Sequence, residues 1–269
     1  MLGLALGGGG AKGTAHLGIL AQLEKNGIRP DCISGTSAGA AVAALYAYGI
    51  PLDEISKILR TLRAVSFASF KMNSLGLFEN LDLENALART IGRDSKIEDC
   101  KIPLAIQVTN IETGEGKILT KGNLLKAVIA SCCIPAIYVP QEIDGCLYVD
   151  GGLTENVPVR AAKKLGADMV IGIDLNGQTS YKKPHSIMDV VTNSFDLLID
   201  MRTKEQLLNC DYVISLDLTK YSRTSADDFD ALYIEGEKHA LDFISSGSKI
   251  SALRFKYKLS KLWRKLFHR

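Results

Sequence analysis

Short apolar runs alternate along this chain with amphipathic stretches, and glycine marks most of the junctions. Residues 2–6, Leu-Gly-Leu-Ala-Leu, are continuously apolar, the pattern of a strand buried on both faces. Four glycines at 7–10 end that run, and helical periodicity over residues 14–25 stops at Asn26-Gly27. A short strand at 31–34 closes on the turn at 35–39, which enters an alanine-rich helix through residue 48. Strand, turn and helix thus occur twice in succession, which predicts a parallel sheet with helical crossovers.

Residues 52–99 read as mostly amphipathic helix, a cap or flank over the site. Strands are expected at 103–109 and 117–120, around the turn Thr113-Gly114-Glu115-Gly116. A helix follows at 123–130, a strand at 146–149, and a helix at 157–165 with Pro158 near its first turn, where proline fits. Strands at 169–174 and 211–215 are flanked by helices at 186–209 and 226–245. The sum is a three-layer α/β/α sandwich with a mainly parallel central sheet. Ligands bind such folds at the carboxyl ends of the strands.

Charge divides the chain in two. The whole carries +2, yet the residues from 249 onward hold eight Lys or Arg and no acid, leaving the preceding 248 at −6. We therefore expect a catalytic domain over 1–248 and a basic tail over 249–269 with its own partner. The six cysteines show no CxxC pair and no metal-like cluster, so small buried thiols in a reducing compartment are expected. The N-terminus lacks the basic start and long apolar run of a signal peptide, and no stretch reaches membrane-span length. These features point to a cytoplasmic protein.

Three glycine-flanked motifs carry candidate chemistry. Gly35-Thr36-Ser37-Ala38-Gly39 fits a strand-to-helix elbow that exposes a serine Oγ at a helix N-terminus. By itself the pattern equally describes a serine capping a helix. Gly8-Gly9-Gly10-Ala11-Lys12-Gly13 presents successive backbone N–H groups that suit a phosphate or an oxyanion. Read literally, Gly8-x-Gly10-x-x-Gly13 is also a dinucleotide fingerprint, with Asp31 as the acidic residue at the next strand. That rival implies a nucleotide-binding oxidoreductase. Asp150-Gly151-Gly152 places a carboxylate at a strand end, pointing out of the sheet edge with little side-chain crowding, and alone it is an ordinary Asp-Gly turn.

A nucleophile needs a base. None of His16, His185, His239 and His268 has a motif around it. A Ser–His–Asp triad stays open on those grounds, although only two strands precede Ser37. A Ser–Asp dyad fits the motifs better, provided burial raises the aspartate from its low ordinary pKa.

The three motifs together resemble those of the patatin-like phospholipase family, over roughly residues 2–175. Leu75-Gly76-Leu77-Phe78, Ser131-Cys132-Cys133-Ile134-Pro135 and Asn156-Val157-Pro158 extend the resemblance, which is nearest to short single-domain bacterial members. It implies lipid ester hydrolysis on a three-layer fold, with Ser37 as nucleophile and Asp150 as base. It further implies an oxyanion hole from the N–H groups of Gly8, Gly9 and Gly10, and no metal or cofactor. Lys12 holds the family's basic position, orienting the loop or attracting a lipid phosphate; a solvated lysine is the competing reading. Glu155 and Ala136 depart from the family pattern, which often has asparagine and glycine there. A catalytically silent lipid-binding protein is a further alternative.

A lipid substrate gives the tail a meaning. Ala252, Phe255, Leu259, Leu262, Trp263 and Leu266 follow helical spacing, with Lys258, Lys261 and Lys265 between them. That pattern suits an interfacial helix on anionic headgroups, and so peripheral contact with the inner membrane surface. Packing on the acidic body is the alternative. Nucleic acid ranks last as a partner, and nothing in the sequence sets an oligomeric state.

Overall fold

The computed structural model describes residues 1–63, 70–73, 75–178, 180–181, 183–223 and 227–246. The first fifty residues fold as expected. Strand β1 (Leu2–Leu6) leads through a 3-10 turn at Gly10–Thr14 into α1 (Ala15–Lys25), then β2 (Cys32–Gly35) and α2 (Ala38–Tyr48). Next come α3 (Leu52–Arg63), a hairpin of β3 (Phe70–Asn73) and β4 (Gly76–Phe78), and α4 (Leu81–Ile91). Strands β5 (Leu104–Asn110) and β6 (Gly116–Leu119) precede α5 (Leu124–Ser131), β7 (Gln141–Ile143) and β8 (Cys146–Asp150). The described chain ends with α6 (Val159–Lys164), β9 (Met169–Asp174), α7 (Ile187–Leu207), β10 (Tyr212–Ser215) and α8 (Phe229–Ser245).

The central sheet is mixed and mostly parallel, in the order β10-β9-β1-β2-β5-β8-β7, with β6 also on β5. Strands β10, β9, β1, β2 and β5 run parallel. β6, β7 and β8 pair antiparallel. Side-chain alternation in β1 explains why helices cover both faces. Leu2, Leu4 and Leu6 enter the larger core with α1, α2, α5 and α8. Ala5 enters a smaller core with Val157, Val159, Ala162 and Val170. Residues 52–99 are not all helical: the β3–β4 hairpin interrupts them, its strands too short for a readable alternation.

Antiparallel β8 sets the site. Its register places Asp150 opposite Val108 of β5, while Gly35 at the end of β2 lies opposite Ile106. Asp150 therefore arrives from the far side, at the level where the parallel strands end. The expectation that it stands uncrowded at the sheet edge is corrected: Asp150 is buried, because its strand runs inward. The tail at 249–269, with Phe255, Lys258, Lys261, Leu262, Trp263 and Lys265, lies outside the described residues.

Candidate active site

Ser37 sits between β2 and α2 with φ 53 and ψ −126. A positive φ at a residue with a Cβ costs on the order of 1–3 kcal/mol, so the surroundings must hold it. The Ser37 N–H donates to Ser131 Oγ at 2.8 Å, and Ser131 Oγ donates to the Gln107 carbonyl at 2.7 Å. Thr36 Oγ1 donates to the Glu155 carbonyl at 2.9 Å, and its N–H donates to Leu6. The glycine spacing follows from close approach. A Cβ on Gly39 would stand 2.3 Å from the Leu6 carbonyl oxygen, and one on Gly35 would stand 2.5 Å from that of Gly39. The elbow thus leaves Ser37 half-buried at the helix N-terminus.

The Ser37 hydroxyl lies close enough to the Asp150 carboxylate to act on its ionisation as a hydrogen-bonding group. Gly152 N–H donates to the same carboxylate at Oδ1, 2.8 Å. Burial pushes the Asp150 pKa up to about 6. The Ser37 hydroxyl and the Gly152 N–H oppose that rise, and the Asp196 charge adds to it. A carboxylate held there is a stronger proton acceptor than a solvated one and is still ionised at neutral pH.

The glycine loop lies beside Ser37: a Cβ on Gly8 would stand 3.1 Å from that of Ser37. Its three N–H groups are not equivalent. Gly8 donates to Asn156, at 3.1 Å to Oδ1 and 3.3 Å to the carbonyl. The Gly9 and Gly10 N–H groups meet no acceptor among the described residues, nor does that of Ala38 in the first turn of α2. Gly8 therefore anchors the loop, and the free donors are Gly9, Gly10 and Ala38. Gly10 needs its glycine, since φ is +58 and a Cβ would meet the Arg223 carbonyl oxygen at 2.4 Å.

Lys12 is not a solvated lysine; it is buried behind the loop. Burial, then the Arg223 charge, lowers its pKa to about 8, against the opposing pull of Asp200, Asp196 and Asp217. Arg223 pairs with Asp196 and, at 3.2 Å, with Asp200, both on α7. Its carbonyl accepts the Ala11 N–H at 2.8 Å.

Several polar residues complete the site; Ser131 and Asn156 stand in segments that extended the resemblance without a role being read for them, whereas Asn176, Thr203 and Arg223 gave no local signal in the sequence. Asn156 bonds Thr203 of α7 at 3.2 Å, and Gln206 Oε1 accepts the Asn156 and Val157 N–H groups. Asn176 Nδ2 donates to the Gly8 carbonyl at 3.3 Å. Ser131, Asn156, Asn176, Thr203 and Arg223 reach the loop or the elbow from distant parts of the chain.

Among the described residues, no histidine hydrogen-bonds to Ser37 or Asp150. His16 is fully buried with Nε2 on the Gly7 carbonyl at 2.8 Å, and burial lowers its pKa to about 4. His239 bonds within α8. Asp31 does not serve a nucleotide. It precedes β2, and its carboxylate accepts the Leu2 N–H at the opposite end of β1 from the glycine loop.

The two departures from the family pattern have local explanations. Ala136 has φ 67, a conformation that favours glycine. The Glu155 carboxylate binds the Arg160 backbone N–H and Nε, both at 2.9 Å, so it caps α6 rather than facing the substrate side.

The chain is similar to known proteins in sequence and in fold. A family model described as patatin-like phospholipase matches residues 4–163. An uncharacterized NTE family protein of Mycobacterium bovis is 34% identical over 65% of this chain and 49% of its own length. Lysophospholipase NTE1 of Pyricularia oryzae is 33% identical over 65% of this chain and 12% of its own length. The chain thus spans about half the length of the mycobacterial relative and far less of the fungal one. The crystal structure of VipD from Legionella pneumophila superposes with a TM-score of 0.57 at 16% identity. It covers 91% of this chain and 66% of that one, a likeness of fold.

Proposed function

Because the chain belongs to the patatin-like phospholipase family, we propose that it is a serine acyl hydrolase of lipid esters, of phospholipase A or lysophospholipase type. The observation that carries this reading is the strained Ser37 elbow set beside a buried Asp150 whose pKa burial raises and Ser37 lowers. The lysophospholipase named among the relatives supports the substrate class.

In the proposed cycle Asp150 accepts the Ser37 proton as Oγ attacks the ester carbonyl. Negative charge on the carbonyl oxygen is stabilised by the Gly9 and Gly10 N–H groups, with Ala38 at the helix N-terminus. Protonated Asp150 passes its proton to the departing alcohol or lysophospholipid, leaving Ser37 acylated. Asp150 then takes a proton from water, the hydroxide attacks the acyl-enzyme, and fatty acid leaves as Ser37 regains a proton. Gly8 holds the loop through Asn156, and Lys12 supplies positive charge behind it. The basic segment 249–269 we assign to anionic headgroups, on its sequence spacing alone.

Hydrolysis of p-nitrophenyl esters and phospholipid vesicles by wild type, Ser37→Ala and Asp150→Asn tests the reading. Loss in both folded variants is expected; activity surviving in Ser37→Ala overturns it. The dinucleotide alternative lost its acidic residue when Asp31 proved to face the other end of β1.

A further inference from the structure

Among the described residues the longest helix is α7, and it leaves an apolar face outward. Its inward side carries polar contacts beside the apolar Ile199 and Leu207: Asp196 and Asp200 meet Arg223, Thr203 meets Asn156, and Gln206 meets the backbone after Glu155. Its outward side is apolar. Ile187 (86% exposed), Val190, Leu197, Leu198, Met201 (72%) and, just past the helix, Leu208 (85%) are all solvent-exposed. Their spacing of 3, 7, 1, 3 and 7 residues keeps them on one stripe, which Ser194 and Glu205 alone interrupt. A surface helix ordinarily buries such a stripe, and no described residue covers this one.

We infer that the outer face of α7 is a docking surface for a lipid bilayer. This choice of partner rests on the lipid-ester reading above, and three observations favour it over a second copy of the chain. A stripe along 21 residues is about 30 Å long and about 10 Å wide, on the order of 300 Å². A stable dimer buries about 800 Å² per partner. Shallow insertion among headgroups needs no more than one apolar helix face. Exposed Arg202 and Lys204 lie on either side of the stripe, and exposed Lys183 precedes it, placed to meet anionic headgroups. Finally, α7 rests on the catalytic turn. Ile199 on its inner side lies against Gly152, and Arg202 donates to the Leu153 carbonyl at 3.0 Å. A bilayer held on α7 is one helix away from Asp150.

The test is flotation of the full chain carrying Ser37→Ala, which separates binding from turnover. Vesicles of phosphatidylcholine with phosphatidylglycerol serve as probe. Leu198→Glu with Met201→Glu lowers the bound fraction about tenfold or more, and Ile187→Ser with Val190→Ser lowers it by a smaller factor. Unchanged melting temperatures show that these exposed changes leave the fold intact. Four results overturn the inference. They are flotation of the variants equal to the parent, loss of flotation only on removing 249–269, a dimer that the α7 changes dissociate, and no flotation of the parent. Ester hydrolysis by the wild-type chain is scored separately. A hydrolase whose α7 variants still float sinks the docking surface alone, and a non-hydrolysing chain that floats through α7 sinks the enzymatic reading alone.

Discussion

Ser131 Oγ accepts the backbone N–H of Ser37 at 2.8 Å while donating to the Gln107 carbonyl at 2.7 Å. One buried hydroxyl thus fixes the strained elbow to β5, the strand that also pairs with the Asp150 strand. Ser131→Ala leaves the Ser37 N–H without that acceptor, at a cost of about 1–3 kcal/mol. We expect kcat to fall at least tenfold with little change in KM, since the hydroxyl's aim is lost rather than the substrate groove. Steady-state kinetics on a soluble ester read this split.

Asp150 is ionised at a cost to the fold. Its folded pKa of about 6 lies above the ordinary 3.8, so the folded state holds the proton more tightly. Its contribution is fully present below about pH 4 and is lost as pH rises through about 6. At about 1.36 kcal/mol per tenfold, the loss reaches roughly 3 kcal/mol. Asp150→Asn removes that penalty. We expect the variant to be inactive yet more stable than wild type at pH 8, with the advantage vanishing near pH 4. Urea melts at the two pH values measure it.

Activity follows the same group in the other direction. Asp150 must be ionised to accept the Ser37 proton, so kcat/KM rises through about pH 6. Lys12, lowered to about 8 by burial and by Arg223, loses its charge at alkaline pH and gives a falling limb. Lys12→Met is expected to lower the plateau and abolish the falling limb, leaving the acid limb in place. A pH–rate profile of both proteins decides this.

Ala136 holds φ 67 in the segment after the Ile-Pro, where glycine is free of Cβ strain. Ala136→Gly should stabilise the protein by about 1 kcal/mol, less the entropy that glycine gains on unfolding. A rise in melting temperature is the expected reading, and a fall would show that the methyl group contributes packing worth more than the strain.

What the sequence disclosed was local. The elbow, the glycine loop and the first two strand–helix units were legible because each is a contiguous signal: an apolar run, a glycine turn, a periodic helix. The Asp150 motif was visible, but its burial was not, because nothing in Cys146–Asp150 says that this strand runs antiparallel. Strands β3, β4 and β7 escaped notice since three or four residues carry no readable alternation. Asn156, Thr203 and Arg223 act through bonds between residues tens of positions apart. A solvated Lys12 could not be set aside from sequence, because its acidic surroundings come from α7 and from Asp217 beyond β10. Asp31 fitted a nucleotide motif by count, and only the backbone direction shows it at the wrong end of its strand.

The central claim is that Ser37 becomes acylated with Asp150 as its base. The most direct measurement is intact-mass and peptide mapping after exposure to an alkyl fluorophosphonate, which captures an activated serine by the same attack. The account predicts one adduct, on Ser37, absent in Ser37→Ala and formed at least a hundredfold more slowly in Asp150→Asn. An adduct on another residue, or labelling of Ser37 at an undiminished rate without Asp150, would contradict it.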